Sequence, residues 1–334
     1  GAPGIFRARP VRQSDLMQTG VAIIGLGIMG TRMLDSLTLS ETFRPVVAWD
    51  PSDAARSAAA ASFPELMISV DAAAAIASPG VDVVYIASPP AAHVEYAVMA
   101  ADAGKAIYCE KPLAVDLAEA EQLVDLVVSR EVVNAVNFPF GAAPSVDFIA
   151  AQHASGALGD VVGVDLRLHF VPWPRVWQKE AAWLSKRAEG GFLREVGSHF
   201  VYLTEKLLGP VVLVDSSCTY PDDDRSCETF VTARLDCSGV PVSLTGTSVG
   251  VGPDIVEFVI WGSKRSIKLD NWSDVSMTFG GGWEVQEIYA SDPRRENNSR
   301  FFAELAALLD GRPSSIASFA DALSVQRIVE AVLA

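Results

Sequence analysis

Six residues constrain this chain more than any others: Gly25-Leu-Gly-Ile-Met-Gly30, set between the apolar run Val21–Ile24 and the helical stretch Arg32–Leu39. Each glycine serves a different need at a strand-to-helix turn. Gly25 permits the tight turn, Gly27 lets backbone amides approach a pyrophosphate, and Gly30 lets helix and strand pack closely. The helix start places partial positive charge where phosphates would lie, so Ile28 and Met29 join the glycines as cofactor-site candidates. This context predicts dinucleotide binding.

The first half continues the same alternation. Pro45–Trp49 is a second apolar run, Asp53–Ala61 an alanine-rich helix, and Asp71 an N-cap for Ala72–Ala77. Val81–Ala87 is a strand broken by Ser88-Pro89-Pro90, and Ala92–Ala103 a helix stopped at Gly104. Ala106–Cys109, a helix over Asp116–Ser129 and Val132–Val136 complete the series. Strands alternating with helices imply an α/β fold, here a doubly wound parallel sheet with right-handed crossovers, the Rossmann arrangement.

Asp50 lies 20 residues beyond Gly30, at the end of the second strand. An acid there accepts hydrogen bonds from the adenosine ribose hydroxyls. A 2′-phosphate in its place would repel the carboxylate by about 4 kcal/mol at 4 Å and an effective dielectric near 20. NAD is therefore expected over NADP, with Arg56 close enough to soften the preference if it swings over the adenine edge.

The pattern changes at Asn137-Phe-Pro-Phe-Gly-Ala-Ala-Pro144, whose prolines and glycine suit a crossing between domains. After a helix over Ser145–Ser155, Val164–Phe170 alternates, with Asp165, Arg167 and His169 on one face. Further strands are predicted at Val211–Thr219, Thr229–Leu235, Pro241–Thr247, Ile255–Trp261 and Ser266–Leu269. Consecutive strands imply a mostly antiparallel open sheet with one face free. Phe301–Leu309 and Asp321–Leu333 read as closing helices.

With 334 residues, half of them hydrophobic, the chain suits two domains. A net charge of −15 argues against nucleic acid and against an anionic membrane surface as partners. Four cysteines without a C-x-x-C pair point to a reduced, cytoplasmic setting, and no cluster has metal-ligand spacing. Residues 1–19 lack the apolar stretch of a secretory signal and read as a flexible segment, with Met17 a natural start.

Two segments carry candidate chemistry. Glu110-Lys111-Pro112 follows the strand at Ala106–Cys109, and in such sheets ligands sit at the carboxyl ends of strands. Gly190-Gly-Phe-Leu-Arg-Glu-Val-Gly-Ser-His199 reads as a glycine turn into a helix, with Glu195 and His199 sharing one face. Upstream lie Trp173, Arg175, Trp177 and Trp183, whose tryptophans offer indole faces suited to the apolar faces of sugar rings, and so mark a substrate pocket.

These features together resemble the glucose–fructose oxidoreductase/inositol dehydrogenase (Gfo/Idh/MocA) family. The resemblance runs from Val21 onward and includes Ile86-Ala-Ser88-Pro89…His93, Glu110-Lys-Pro112, Gly190…His199 and Asp310-Gly-Arg-Pro313. It implies a Rossmann domain followed by an α/β domain with a large open sheet, commonly used for dimer or tetramer contacts, and hydride transfer to or from a sugar, cyclitol or related polyol. Ser88, Pro89, His93, Glu110 and Lys111 would line the cofactor, with His93 packed beneath it. Lys111 would hold the reacting oxygen, and His199 would act as general acid/base. Imidazole titrates near neutral pH, and an ammonium stabilises a developing alkoxide.

One departure is Glu195, where the family usually has aspartate; its extra methylene moves the carboxylate outward. On this basis the chain divides into a segment over 1–19, a Rossmann domain over 20–138, a substrate and oligomerisation domain over 139–316 and a terminal helix over 317–334. Two alternatives remain, a dinucleotide-sensing regulator without catalysis and a dehydrogenase of non-sugar diols.

Overall fold

The computed structural model of the protein describes residues 18–334. The segment expected to be flexible, 1–19, lies outside the described residues except for Gln18 and Thr19, and Thr19 already belongs to the first strand. The first half builds β1 (Thr19–Ile24), α1 (Ile28–Thr38), β2 (Phe43–Trp49), α2 (Asp53–Ser62), β3 (Met67–Ile68) and α3 (Ala72–Ile76). It continues with β4 (Val83–Ile86), α4 (His93–Asp102), β5 (Ala106–Cys109), α5 (Leu117–Ser129) and β6 (Asn134–Val136). All six strands pair in parallel, in the order β3-β2-β1-β4-β5-β6. Every residue of β4 is buried, as a sheet covered on both faces requires. The predicted cap holds, with Asp71 Oδ1 accepting the Ala74 amide at 2.7 Å. Only β3 was not anticipated, because two residues leave no alternation to read.

The second half contains α6 (Pro144–Ala154), β7 (Val161–His169), α7 (Ser198–Leu208), β8 (Val211–Thr219), β9 (Phe230–Cys237), β10 (Val240–Thr247), β11 (Ile255–Gly262), β12 (Ser266–Asp270), β13 (Asp274–Thr278) and β14 (Glu284–Gln286). The eight strands lie in the order β14-β13-β12-β11-β7-β10-β9-β8. Neighbours are antiparallel apart from β7 and β10. The leucines and Val164 of β7 are buried while Asp165 and Arg167 are exposed, so one face is packed and the other open. The strands β13 and β14 escape sequence reading, since Ser, Asp and Glu interrupt their apolar residues.

The helix α8 (Pro293–Leu309) starts eight residues earlier than its apolar residues indicate. Its polar first half is set by Asp292, whose carboxylate accepts the Arg295 amide at 2.9 Å, and by Pro293 in the first turn. Although grouped in sequence with the second domain, α8 packs on the first sheet. Phe301, Phe302 and Leu305 share a buried cluster with Val21, Ile23, Leu34 and Tyr108. The last helix, α9 (Phe319–Leu333), joins the cluster that runs between α4, α5 and the second sheet. Val136 N–H donates to Ala317 O at 2.8 Å, and Phe319 N–H to Asn134 Oδ1 at 2.8 Å, so the chain's end is sewn to β6.

Candidate active site

A cleft of about 1190 Å³ runs from the glycine turn to the start of α7 and takes in the front of α8. At the glycine end the three positions differ as their spacing predicts. Gly25 has φ +104°, and a Cβ there would stand 2.7 Å from the Ala87 carbonyl. At Gly30 a Cβ would lie 1.8 Å from Gly25 O, so only glycine lets α1 sit on the turn. A Cβ on Gly27 would meet nothing within 4 Å, and no side chain caps α1. The unsatisfied amides of its first turn, including those of Ile28 and Met29, thus border open space lined by Gly25, Gly27 and Asp50. That cradle fits a pyrophosphate.

Asp50 braces this turn from the end of β2. Its Oδ2 accepts the Leu26 amide at 2.7 Å and its Oδ1 the Ser52 amide at 2.8 Å, and each oxygen keeps a lone pair for a ribose hydroxyl. Arg56 is tied down instead of swinging over an adenine, donating to the Asp50 carbonyl at 2.5 Å and pairing with Asp53.

Along the middle of the cleft, Ser88 Oγ is buried with no hydrogen-bond partner among the described residues, a hydroxyl that fits a polar group of a dinucleotide. Pro89 lines the same wall. His93 is 1% exposed, its ring nitrogens 2.8 Å from Ser88 O and 2.7 Å from Pro112 O, so its ring splints the Ser88 and Pro112 loops together. Burial lowers its pKa. Glu110 turns inward, where Tyr85 and Asn137 donate to its Oε1, the latter at 2.6 Å, and burial raises its pKa against those bonds.

The far end gathers side chains from several segments. Lys111 Nζ donates to the Glu195 carbonyl at 3.0 Å and pairs with Glu195 Oε2. Gln178 Nε2 donates to Glu195 Oε1 at 2.8 Å, and Arg175 Nε donates to Gln178 Oε1 at 2.8 Å. The extra methylene of Glu195 thus carries its carboxylate onto Lys111. His199 is 6% exposed, edge-on to Phe138 and Trp272 at ring centroids 5.4 and 5.2 Å away. Its Nδ1 has no partner among the described residues. Burial, then the charges of Lys111 and Arg175, hold its pKa well below the usual imidazole value.

Glu195 and His199 do not share one α-helical face as predicted. Residues Leu193–Gly197 form a π turn, and α7 begins after it, yet both side chains line the cleft. The turn is seated on Glu228, a 1%-exposed carboxyl whose Oε1 accepts the Leu193 amide at 2.8 Å. Burial pushes Glu228 up to about 7, opposed by that amide and by Arg194. Gly191 makes the room, since at φ +104° a Cβ would lie 2.1 Å from Glu228 Oε2.

Of the aromatic candidates, Trp177 and Trp183 line the cleft, as does Arg175. Trp173 is not brought there; its indole N–H donates to Leu184 O at 3.0 Å, and its ring packs beside Phe170 and Phe192. Sequence reading missed Gln178 and Trp272. Gln178 had one faint signal, three residues after Arg175, and Trp272 sits in the Asn271-Trp272 turn between β12 and β13 with φ +74°. No group of three or more His, Cys, Asp or Glu side chains among the described residues is placed to hold a metal.

Comparison with known proteins agrees with this layout. The profile described as "Oxidoreductase family, NAD-binding Rossmann fold" matches residues 19–138. Its companion, "Oxidoreductase family, C-terminal alpha/beta domain", matches residues 152–334. A levoglucosan dehydrogenase of Pseudarthrobacter phenanthrenivorans is 27% identical over 215 residues, 60% of this chain and 54% of the relative. An inositol 2-dehydrogenase of Streptomyces avermitilis is 37% identical over 109 residues, 32% of this chain and 31% of the relative. The chain therefore matches about half or less of the length of these relatives. The solved structure of a levoglucosan dehydrogenase with NADH and levoglucosan superposes with a TM-score of 0.83 at 22% identity, covering 94% of this chain and 96% of the other, a likeness of fold.

Proposed function

This chain belongs to the Gfo/Idh/MocA family of NAD-binding oxidoreductases, and on that premise we propose that it interconverts an alcohol and a ketone on a sugar, cyclitol or related polyol, with NAD as the preferred cofactor. One observation carries the reading: Lys111, Glu195 and His199, from segments far apart in sequence, converge in the cleft that also holds the glycine turn. The nicotinamide supplies the hydride acceptor or donor. The turn at Gly25, Gly27, Ile28, Met29 and Gly30 holds the pyrophosphate, Asp50 takes the ribose hydroxyls, and Ser88 and Pro89 line the middle of the cofactor, with His93 and Glu110 bracing that wall.

His199, kept neutral at working pH by burial and two nearby cations, accepts the substrate hydroxyl proton during oxidation and returns it during reduction. Lys111 keeps an N–H free after its two bonds to Glu195 and directs it at the reacting oxygen. Glu195 positions Lys111, and Gln178 positions Glu195. Trp177 and Trp183 form the wall against the sugar ring.

Absorbance at 340 nm with NAD across a sugar and cyclitol panel tests the proposal. NADH formation from at least one compound is expected, and tight NADH binding with no turnover on any would favour a dinucleotide-sensing role instead. A better kcat/KM with NADP than with NAD would remove Asp50 as the selecting residue. The acid limb of the kcat/KM profile for oxidation is expected below the ordinary histidine pKa, because His199 stays unprotonated until pH falls through its lowered value.

A further inference from the structure

The side chain of Arg175 is only 15% exposed and is fixed from several directions. Its guanidinium lies 4.8 Å from the Trp177 ring, 5.3 Å from Phe170 and 5.8 Å from Trp173, an aromatic cradle in which planar guanidinium stacks well. Gln178, 2% exposed, takes the Nε proton. The facing carboxylate, Glu195 Oε1, is 3.9 Å from Nη2, beyond hydrogen-bond distance, and is itself engaged by Gln178. The Nη protons therefore have no hydrogen-bond partner among the described residues, although Arg175 lines the cleft. A mostly buried, rigidly held fork with unused donors is a receptor for a planar anion.

Local charge points the same way. Arg175 has Glu195 as a facing carboxylate beyond hydrogen-bond distance, Lys111 takes the two bonds that Glu195 offers it, and Asp254 and Arg32 act on Arg175 with opposite signs. During oxidation the positive charge that the nicotinamide would lose with the incoming hydride would reappear on His199 with the hydroxyl proton. The cleft would thus keep its positive charge, and a substrate anion on Arg175 would offset part of it.

Resting on the oxidoreductase reading above, we propose that Arg175 receives a carboxylate of the substrate, so that the preferred substrate is a sugar acid and not a neutral sugar. A carboxylate, with two coplanar oxygens, suits the two-pronged face that the guanidinium leaves without hydrogen bonds.

The test uses matched pairs that differ by the carboxylate, D-gluconate with D-glucitol and D-glucuronate with D-glucose, with D-glucose 6-phosphate as a second anion. Binding to the NADH-loaded protein is read by calorimetry and thermal shift, and turnover with NAD at 340 nm. At least one acid is expected to bind about 10–100-fold tighter than its neutral partner, the range of a charge-assisted bidentate contact. Arg175→Gln should reduce that ratio to within about twofold, with Arg175→Lys intermediate because it keeps the charge and loses the fork. No difference within either pair in the wild-type protein, absence of all binding included, overturns the assignment without any variant having to fold. A ratio that survives in Arg175→Gln overturns it too, and tighter binding of glucose 6-phosphate than of either acid replaces the carboxylate with a phosphate ester. Acid preference in binding with no NADH from any compound would sink the dehydrogenase reading and leave Arg175 its role. NADH from neutral sugars with no acid preference would do the reverse.

Discussion

The two ends of the cleft are built by different means. At the glycine end the contacts on offer are backbone amides, supplied by one local turn and braced by Asp50 through two amide hydrogen bonds. At the far end the reacting and recognising groups are side chains, and the segments that carry them are brought together only by the folded chain. Lys111 and Glu195 stand 84 residues apart. A backbone cradle binds whatever carries a diphosphate, and its demands on sequence are confined to the glycines that shape it and the acid that braces it. A side-chain constellation is particular about chemistry and fragile to single replacements.

His199→Asn is the harshest test of that separation. It should lower kcat by about 10²–10⁴ while NADH binding, followed by fluorescence, is retained; a matching loss of NADH affinity would show that the two ends are one unit. Within the glycine end the geometry gives two replacements different expected outcomes. Gly30→Ala places a methyl 1.8 Å from Gly25 O and should cost stability by at least about 1–3 kcal/mol along with cofactor affinity. Gly27→Ala meets no protein atom within 4 Å and should leave Tm unchanged while weakening NADH binding. Equal melting temperatures for the two variants would break this account of the turn.

Glu228 sharpens the contrast by pH. Burial raises its folded pKa to about 7, so the folded state keeps a proton that the unfolded chain has already released. The stability this group contributes is complete below the ordinary carboxylate range and is lost as pH rises through about 7. Glu228→Gln should remove a fall of order 1–3 kcal/mol between pH 5 and 8, measured by denaturant unfolding at both. The smallest effect is expected at Trp177, which bridges the two ends with Arg32 at 4.5 Å and Arg175 at 4.8 Å. Trp177→Ala should raise the substrate KM about two- to fivefold with kcat unchanged, in line with cation–π contacts of about 0.5–1 kcal/mol each.

The same division governs how much could be read from sequence. The parallel sheet, the tight turn at Gly25, the close packing at Gly30 and the capping by Asp71 are local matters of spacing and backbone, and they appear in the fold as anticipated. The convergence of Lys111, Glu195 and His199 in one cleft was also anticipated, but through resemblance, since no local pattern brings residue 111 to residue 195. Gln178 stayed hidden because its role exists only once Arg175 and Glu195 are neighbours in space. Trp173 misled for the opposite reason: an indole in a pocket-forming segment has the same appearance in sequence whether it faces solvent or core. The start of α8 escaped the apolar pattern because the residues from Arg294 to Arg300 are polar and none is buried.

The π turn at Leu193–Gly197 has a consequence for phase. A regular α-helix advances about 100° per residue, so one residue more or less rotates everything downstream by that angle. The wide turn acts as a spliced-in residue, letting Glu195 be aimed by one helical phase and His199 by another. Deleting a single residue between Phe192 and Gly197 would restore an unbroken ladder of hydrogen bonds. It would also swing one of the two side chains out of the cleft, and a more regular helix would then make a poorer site.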